Sequence, residues 1–266
     1  MKNTVSLHIP GKPKPYIMAH RGNQAACPEN TLAAFRRAIA DGADILETDL
    51  HLSADQVFVC IHDATVDRTT NGSGAVAEMT LQQLKQLSAS CGREEYAQER
   101  IPTLAEAAAL LPEDAALALE LKTDRFLEPE VCRRLAEELG RAGVRGRTVV
   151  LSFSTGRLKA FRQAAPDIPI GLITLDKKWP LKDFDLLGPA WNLLLKNPLY
   201  VMIAHLRGQL VAPLDPDSTS RYNWYRWLKA DAVLADDPAA ASAALRRKSR
   251  GENRHHTLTD REDNPG

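Results

Sequence analysis

The chain has 266 residues, and 34 Lys and Arg balance 34 Asp and Glu, so its formal net charge is zero with neutral histidines. That balance argues against a dedicated nucleic-acid or polybasic membrane binder, and no apolar run approaches the about 20 residues that span a bilayer. Met1 to Pro15 holds lysines and prolines but no apolar secretory stretch, and Cys27, Cys60, Cys91 and Cys132 are too widely spaced for a metal or redox motif; free thiols and a cytoplasmic location are expected.

From Tyr16 onward strand-like and helix-like segments alternate, which predicts a parallel sheet wrapped by helices. Tyr16–Ala19 reads as a strand. A helix follows over Thr31–Asp41, opened by Pro28-Glu29-Asn30 and stopped at Gly42. Ile45–Leu50 is the second strand, and a polar turn leads to a further extended segment, Val57–Ile61. Asp63–Arg100 then breaks the pattern: it offers a short helix, Thr80–Leu87, and no core strand, so it reads as an excursion over the active-site face. The alternation resumes with a helix at Thr103–Leu111, a strand at Ala116–Leu121 and a helix at Pro129–Gly143. Next come a strand at Thr148–Ser152, a helix at Thr155–Ala164 and strands at Ile168–Ile173 and Trp191–Leu195. A helix at Pro198–Arg207, a strand at Leu210–Pro213, a helix at Ser220–Lys229 and a strand at Ala232–Ala235 complete the series. With Val57–Ile61 as a hairpin-like addition, eight core strands remain. The predicted fold is α/β, a TIM-type (β/α)8 barrel with a small insertion after the second extended segment. The extension is 1–15, the barrel 16–245 with the insertion at about 64–100, and 246–266 a disordered polar tail in which His255-His256 reads as an exposed pair.

The chemistry-bearing residues recur near the C-terminal ends of predicted strands, where such barrels hold their active sites. His20 and Arg21 follow the first strand, and His62 ends the extended segment. Glu47 and Asp49, two apart, share one face of the second strand, where two carboxylates are unfavourable unless protonated or bridged by a cation. Glu120 from a neighbouring strand completes an all-oxygen set suited to Mg²⁺ or Ca²⁺. His20 and His62 suit acid–base work near neutrality, and Arg21 and Lys122 suit a phosphate. His51 shares the face of Glu47 and Asp49 further along and reads as structural. Neither a phosphate-binding P-loop nor a dinucleotide fingerprint is present. The combination points to metal-assisted phosphoester hydrolysis.

The motifs His20-Arg21-Gly22, Pro28-Glu29-Asn30-Thr31, Gly42-Ala43-Asp44, Glu47-Thr48-Asp49, His62-Asp63 and Arg68-Thr69-Thr70 occur in an order and spacing that resemble the glycerophosphodiester phosphodiesterases. The match continues through Ile101-Pro102-Thr103-Leu104 and Glu120-Leu121-Lys122 to Ala235-Asp236-Asp237-Pro238. The resemblance implies a divalent cation, Mg²⁺ or Ca²⁺, on Glu47, Asp49 and Glu120, with His20 and His62 as the acid–base pair and Arg21 and Lys122 on the phosphate. It implies hydrolysis of a small-molecule glycerophosphodiester to sn-glycerol 3-phosphate and an alcohol. Two departures stand out. Asp55-Gln56 replaces the family's usual Asp-Gly turn, and Val211-Ala212-Pro213-Leu214-Asp215 lacks the Trp and Asn that shape the alcohol-side pocket in relatives. The competing readings are lysophospholipase D-type chemistry and a barrel that binds its ligand without turnover.

Overall fold

The strands form where apolar residues predominate, and even their polar residues are largely buried, because each strand is covered on both faces. In the computed structural model, which describes residues 9–215 and 218–246, β1 (Tyr16–Ala19) leads to α1 (Leu32–Ala40) and β2 (Ile45–Leu52). β3 (Phe58–Cys60), α2 (Leu81–Gln86), α3 (Leu104–Ala109), β4 (Ala116–Leu121) and α4 (Pro129–Arg141) follow. Then come β5 (Thr148–Ser152), α5 (Thr155–Ala164), β6 (Ile170–Thr174), β7 (Leu186–Pro189), α6 (Trp191–Lys196) and α7 (Tyr200–Leu206). β8 (Leu210–Val211), α8 (Tyr222–Trp227), β9 (Ala232–Ala235) and α9 (Pro238–Arg246) end the described chain. The sheet runs β8-β7-β6-β5-β4-β2-β1-β9, with each of these neighbours parallel; β3 pairs antiparallel with β2, outside this path. Among the described residues this is a nearly closed eight-strand barrel, with β3 as a hairpin addition.

Strand alternation divides the interior into two layers. Met18, Ile45, Ala116, Ala118, Val149, Leu151, Ile173 and Leu186 fill the lumen. Their sequence neighbours Ile17, Leu46, Leu117, Leu119, Val150, Leu172 and Leu187 pack outward under the helices with Phe35, Leu135, Leu158 and Phe161. The lumen is therefore a packed core, open to chemistry only at its end. Residues ahead of β1 close the opposite end: Ile9 is buried in the lumen cluster beside Tyr16. The helices start on local signals. Thr31 caps α1, Thr103 and Glu106 form a capping box on α3, and Pro129 opens α4.

Segment 64–100 has a small apolar core of its own, in which Val66, Val76, Leu84 and Ala89 pack with Val59, Ile61 and Ile101. It leans on the β1–α1 loop, where the Tyr96 hydroxyl donates to the Ala26 carbonyl (3.1 Å). At the Asp55-Gln56 turn, Gln56 takes φ +66° without being glycine, and its side chain is held by Arg125 (2.8 Å).

One expected element is corrected. Trp191–Leu195 is helical, within α6, and the sixth barrel strand, β7, lies earlier, at Leu186–Pro189. The apolar run 191–195 is periodic as a helix, with Leu193 and Leu194 buried and Leu195 exposed. The true strand was hidden because it is short and ends in Gly188-Pro189. The polar tail beyond 246 and its His255-His256 pair lie outside the described residues. Cys27, Cys60 and Cys132 are buried free thiols and Cys91 is an exposed one. Among the described residues no helix is long and apolar enough to cross a membrane.

The two ends of the strand path, β8 and β9, meet through Asp231. Its N–H donates to the Val211 carbonyl (2.8 Å) and its carboxylate accepts from the Val211 N–H (2.8 Å), Lys14 Nζ (2.6 Å) and His205 Nε2 (2.8 Å). Asp231→Ala strips a buried acceptor from three donors and is expected to lower unfolding free energy by about 3 kcal/mol in urea titrations. Asp167→Ala, which removes an exposed partner of Arg145, is expected to change it by less than about 1 kcal/mol. Equal effects would refute a closing role for Asp231.

Candidate active site

β2 and β4 run parallel in a register that sets Asp49 beside Glu120 and Glu47 beside Ala118. Since Ile45, Ala116 and Ala118 face the lumen, the odd residues of β2 and the even residues of β4 share that face. Glu47, Asp49 and Glu120 therefore converge at the C-terminal mouth, all buried, with ligand oxygens within 4.8 Å of one another. Three hard oxygen donors at that separation fit a divalent cation of the Mg²⁺ or Ca²⁺ class.

The electrostatics fit it as well. Burial, reinforced by Asp49 and Glu120, pushes the Glu47 carboxyl up to about 8. Burial and Asp49 likewise raise Glu120. Burial would also raise Asp49, but Lys122, Arg21 and the Asn30 amide outweigh it and hold Asp49 below the ordinary carboxylate range. Crowded buried carboxylates that favour protons are those a cation relieves.

Three side chains order the cluster. Lys122 Nζ lies 2.9 Å from Glu120 and 3.4 Å from Asp49. Asn30, at φ +54°, donates to Asp49 (2.9 Å) and accepts from the Thr48 hydroxyl (2.7 Å). Arg21, also at φ +54°, turns its backbone N–H onto Glu47 (2.9 Å), while its guanidinium lies 3.2 Å from Asp49 and 3.0 Å from Glu29. Two non-glycine residues held in the left-handed region mark a turn shaped for its site. Gly22 at φ +80° completes it, and a Cβ there would lie 2.6–2.8 Å from Ala34.

Each of the two histidines is gripped through Nδ1. His20 Nδ1 lies 2.7 Å from Asp236, just past β9, and Gln24 bonds the same carboxylate (2.6 Å). Burial lowers the proton affinity of His20, but Asp236 and Glu47 outweigh it and the net shift is upward. His62 Nδ1 lies 2.6 Å from Asp63. Arg68 bonds Asp63 (2.6 Å) and forks onto Glu29 (2.7 and 2.8 Å), and Glu29 also holds Arg21. Arg68 holds Asp63 well below the ordinary carboxylate range. His51 is buried and donates from Nε2 to the His62 carbonyl (3.2 Å), a supporting position.

All seven residues singled out from the sequence thus meet at one mouth. Asp236, Asp63, Glu29, Arg68 and Asn30 were not given roles there, although each stands in a quoted motif. An acid directly after His62, and an Asp directly after the last strand, were the available signals.

The sequence profile described as "Glycerophosphoryl diester phosphodiesterase family" matches residues 20–240. The chain belongs to this family. A glycerophosphodiester phosphodiesterase of Caldanaerobacter subterraneus is 34% identical over 240 residues, covering 85% of this chain and 95% of the relative. One from Bacillus altitudinis is 34% identical over 237 residues, covering 85% and 96%. An Oleispira antarctica phosphodiesterase, solved with the product sn-glycerol-3-phosphate, has a TM-score of 0.78 at 29% identity, covering 87% of this chain and 97% of that one. The protein is a glycerophosphodiester phosphodiesterase, a phosphoric diester hydrolase on a TIM-type barrel.

An imidazole that exchanges a proton with a substrate does so in the tautomer and orientation its partner sets. Asp63→Asn and Asp236→Asn are each expected to lower kcat at least about tenfold, leave KM within about threefold and displace the pH–rate profile. Unchanged kcat with an unmoved profile in both variants would leave the carboxylates as packing groups.

Proposed function

We propose that this enzyme hydrolyses glycerophosphodiesters to sn-glycerol 3-phosphate and an alcohol, using a divalent cation held by Glu47, Asp49 and Glu120, with His20 and His62 as the acid–base pair. The observation that carries the reading is the placement of two Nδ1-anchored histidines around one buried carboxylate triad. A cation in that triad supplies Lewis-acid polarisation of a phosphoryl oxygen and charge neutralisation.

The chain's own residues have separable tasks. Arg21 and Lys122 already stand against the carboxylates, and a phosphate in the mouth takes their charge in its place. Arg21 is kept in position by Glu29, which Arg68 anchors from the far side. With Nδ1 engaged, each histidine exchanges its proton through Nε2. One histidine takes the proton of the attacking oxygen and the other gives a proton to the departing alkoxide. Over the whole reaction the water oxygen joins phosphorus, the phosphorus–oxygen bond to the alcohol breaks, and the alcohol leaves protonated.

The test is release of glycerol 3-phosphate from glycerophosphocholine and glycerophosphoethanolamine. Chelator is expected to abolish release, and Mg²⁺ or Ca²⁺ to restore it. His20→Ala and His62→Ala are each expected to cut kcat about 10²- to 10⁴-fold while thermal unfolding stays cooperative. Glu47→Gln is expected to weaken metal binding in calorimetry. Full turnover in chelator, or in either histidine variant, would overturn the assigned roles.

A further inference from the structure

One side of the catalytic mouth is lined mainly by apolar side chains, with Asp236 at its edge holding His20. A cavity of about 280 Å³ begins at His20 and runs along the C-terminal ends of β6, β7, β8 and β9. Its walls are Leu175, Ala190, Trp191, Leu214 and Leu234, and Asn192 is the other polar lining residue. Among the described residues that line it none is acidic or basic, and His20 is the sole titratable group. The Arg221 guanidinium stacks on the outer wall at 4.2 Å from the Trp191 ring centroid, and Arg221 is itself fixed by Asp215 (2.7 Å).

At the mouth the apolar character continues into solvent. Leu175 is 63% exposed, and Trp179 in the same loop is 59% exposed. Phe153, after the neighbouring β5, is 45% exposed. A choline or ethanolamine head group would find no carboxylate in this cavity, and a glycerol would find two polar side chains among five apolar ones. An apolar chain matches the five apolar residues of the wall.

Resting on the phosphodiesterase reading above, we propose that this cavity is a substrate subsite for an apolar chain, so that the enzyme favours glycerophosphodiesters carrying an acyl or alkyl group over those with none. The bonds made and broken at phosphorus are those of the unsubstituted substrate. The chain adds binding alone, and can be carried by the glycerol, as in a lysophospholipid, or by the esterified alcohol.

The experiment compares phosphomonoester release, followed by phosphorus NMR, below the critical micelle concentration. The substrates are glycerophosphocholine, its 1-butanoyl, 1-hexanoyl and 1-octanoyl esters, and glycerophospho-octanol, whose chain sits on the other side of phosphorus. Each buried methylene is worth up to about fourfold, so kcat/KM is expected to rise at least about tenfold from glycerophosphocholine to an octyl-length substrate in one series. Whichever series rises identifies the side that the cavity serves. Ala190→Phe, which fills the cavity, and Leu175→Glu, which places a charge at its exposed mouth, are each expected to erase most of that ratio. A flat chain-length dependence with normal glycerophosphocholine turnover would overturn the subsite and leave the phosphodiesterase reading standing. A rise that both variants retain would place the chain elsewhere and also overturn it. No turnover of any substrate would overturn both.

Discussion

Three carboxylates buried within reach of one another at the mouth of an otherwise apolar barrel are the constraint around which this molecule is arranged. Left alone, such a group is strongly unfavourable, because burial removes water and proximity adds repulsion. The fold answers with donors from separate elements: the Arg21 backbone and guanidinium after β1, Asn30 before α1, and Lys122 after β4. Their positions account for the unusual backbone of the first loop. Arg21 and Asn30 take left-handed conformations so that an N–H and an amide reach the carboxylates, and Gly22 lets that loop lie against Ala34.

A second layer of charge steadies the first. Glu29 joins Arg21 to Arg68, and Arg68 joins Glu29 to Asp63, which holds His62. The segment 64–100 therefore contributes more than cover: through Arg68 it ties the loop after β1 to the residues after β3 in one network. Asp236 serves His20 from the far end of the chain, so the histidine of the first strand depends on the loop after the last. In a closed barrel these strands are neighbours, since β1 pairs with both β2 and β9.

The mouth is asymmetric. Its charged half comes from β1, β2, β4 and the segment after β3, where the carboxylates, their counter-charges and the two histidines lie. Its other half, at the ends of β6 to β9, is mainly a wall of Leu, Ala and Trp, with Asn192 in it and Asp236 at its edge on His20. A substrate with one charged centre and one apolar arm matches that division. Leu214, after β8, belongs to the same wall.

Much of this was legible in the chain itself, for physical reasons that act locally. Alternation of two along a strand fixes which residues share a face, so Glu47 with Asp49, and Glu120 with Lys122, could be paired from spacing alone. Parallel strands separated by helices place their C-terminal ends together, which brought His20, His62 and the carboxylates to one mouth. What spacing cannot supply is the identity of partners distant in sequence. The register that sets Asp49 beside Glu120, the grip of Asp236 on a histidine 216 residues away, and the bridge from Glu29 through Arg68 to Asp63 exist only once the barrel closes. The sixth barrel strand, β7, was misplaced because Leu186–Pro189 is brief and proline-ended while the helical run after it is longer and more apolar. The apolar cavity belongs wholly to tertiary structure: its walls come from the ends of four strands, and no local pattern marks Leu175, Ala190, Trp191, Leu214 and Leu234 as neighbours.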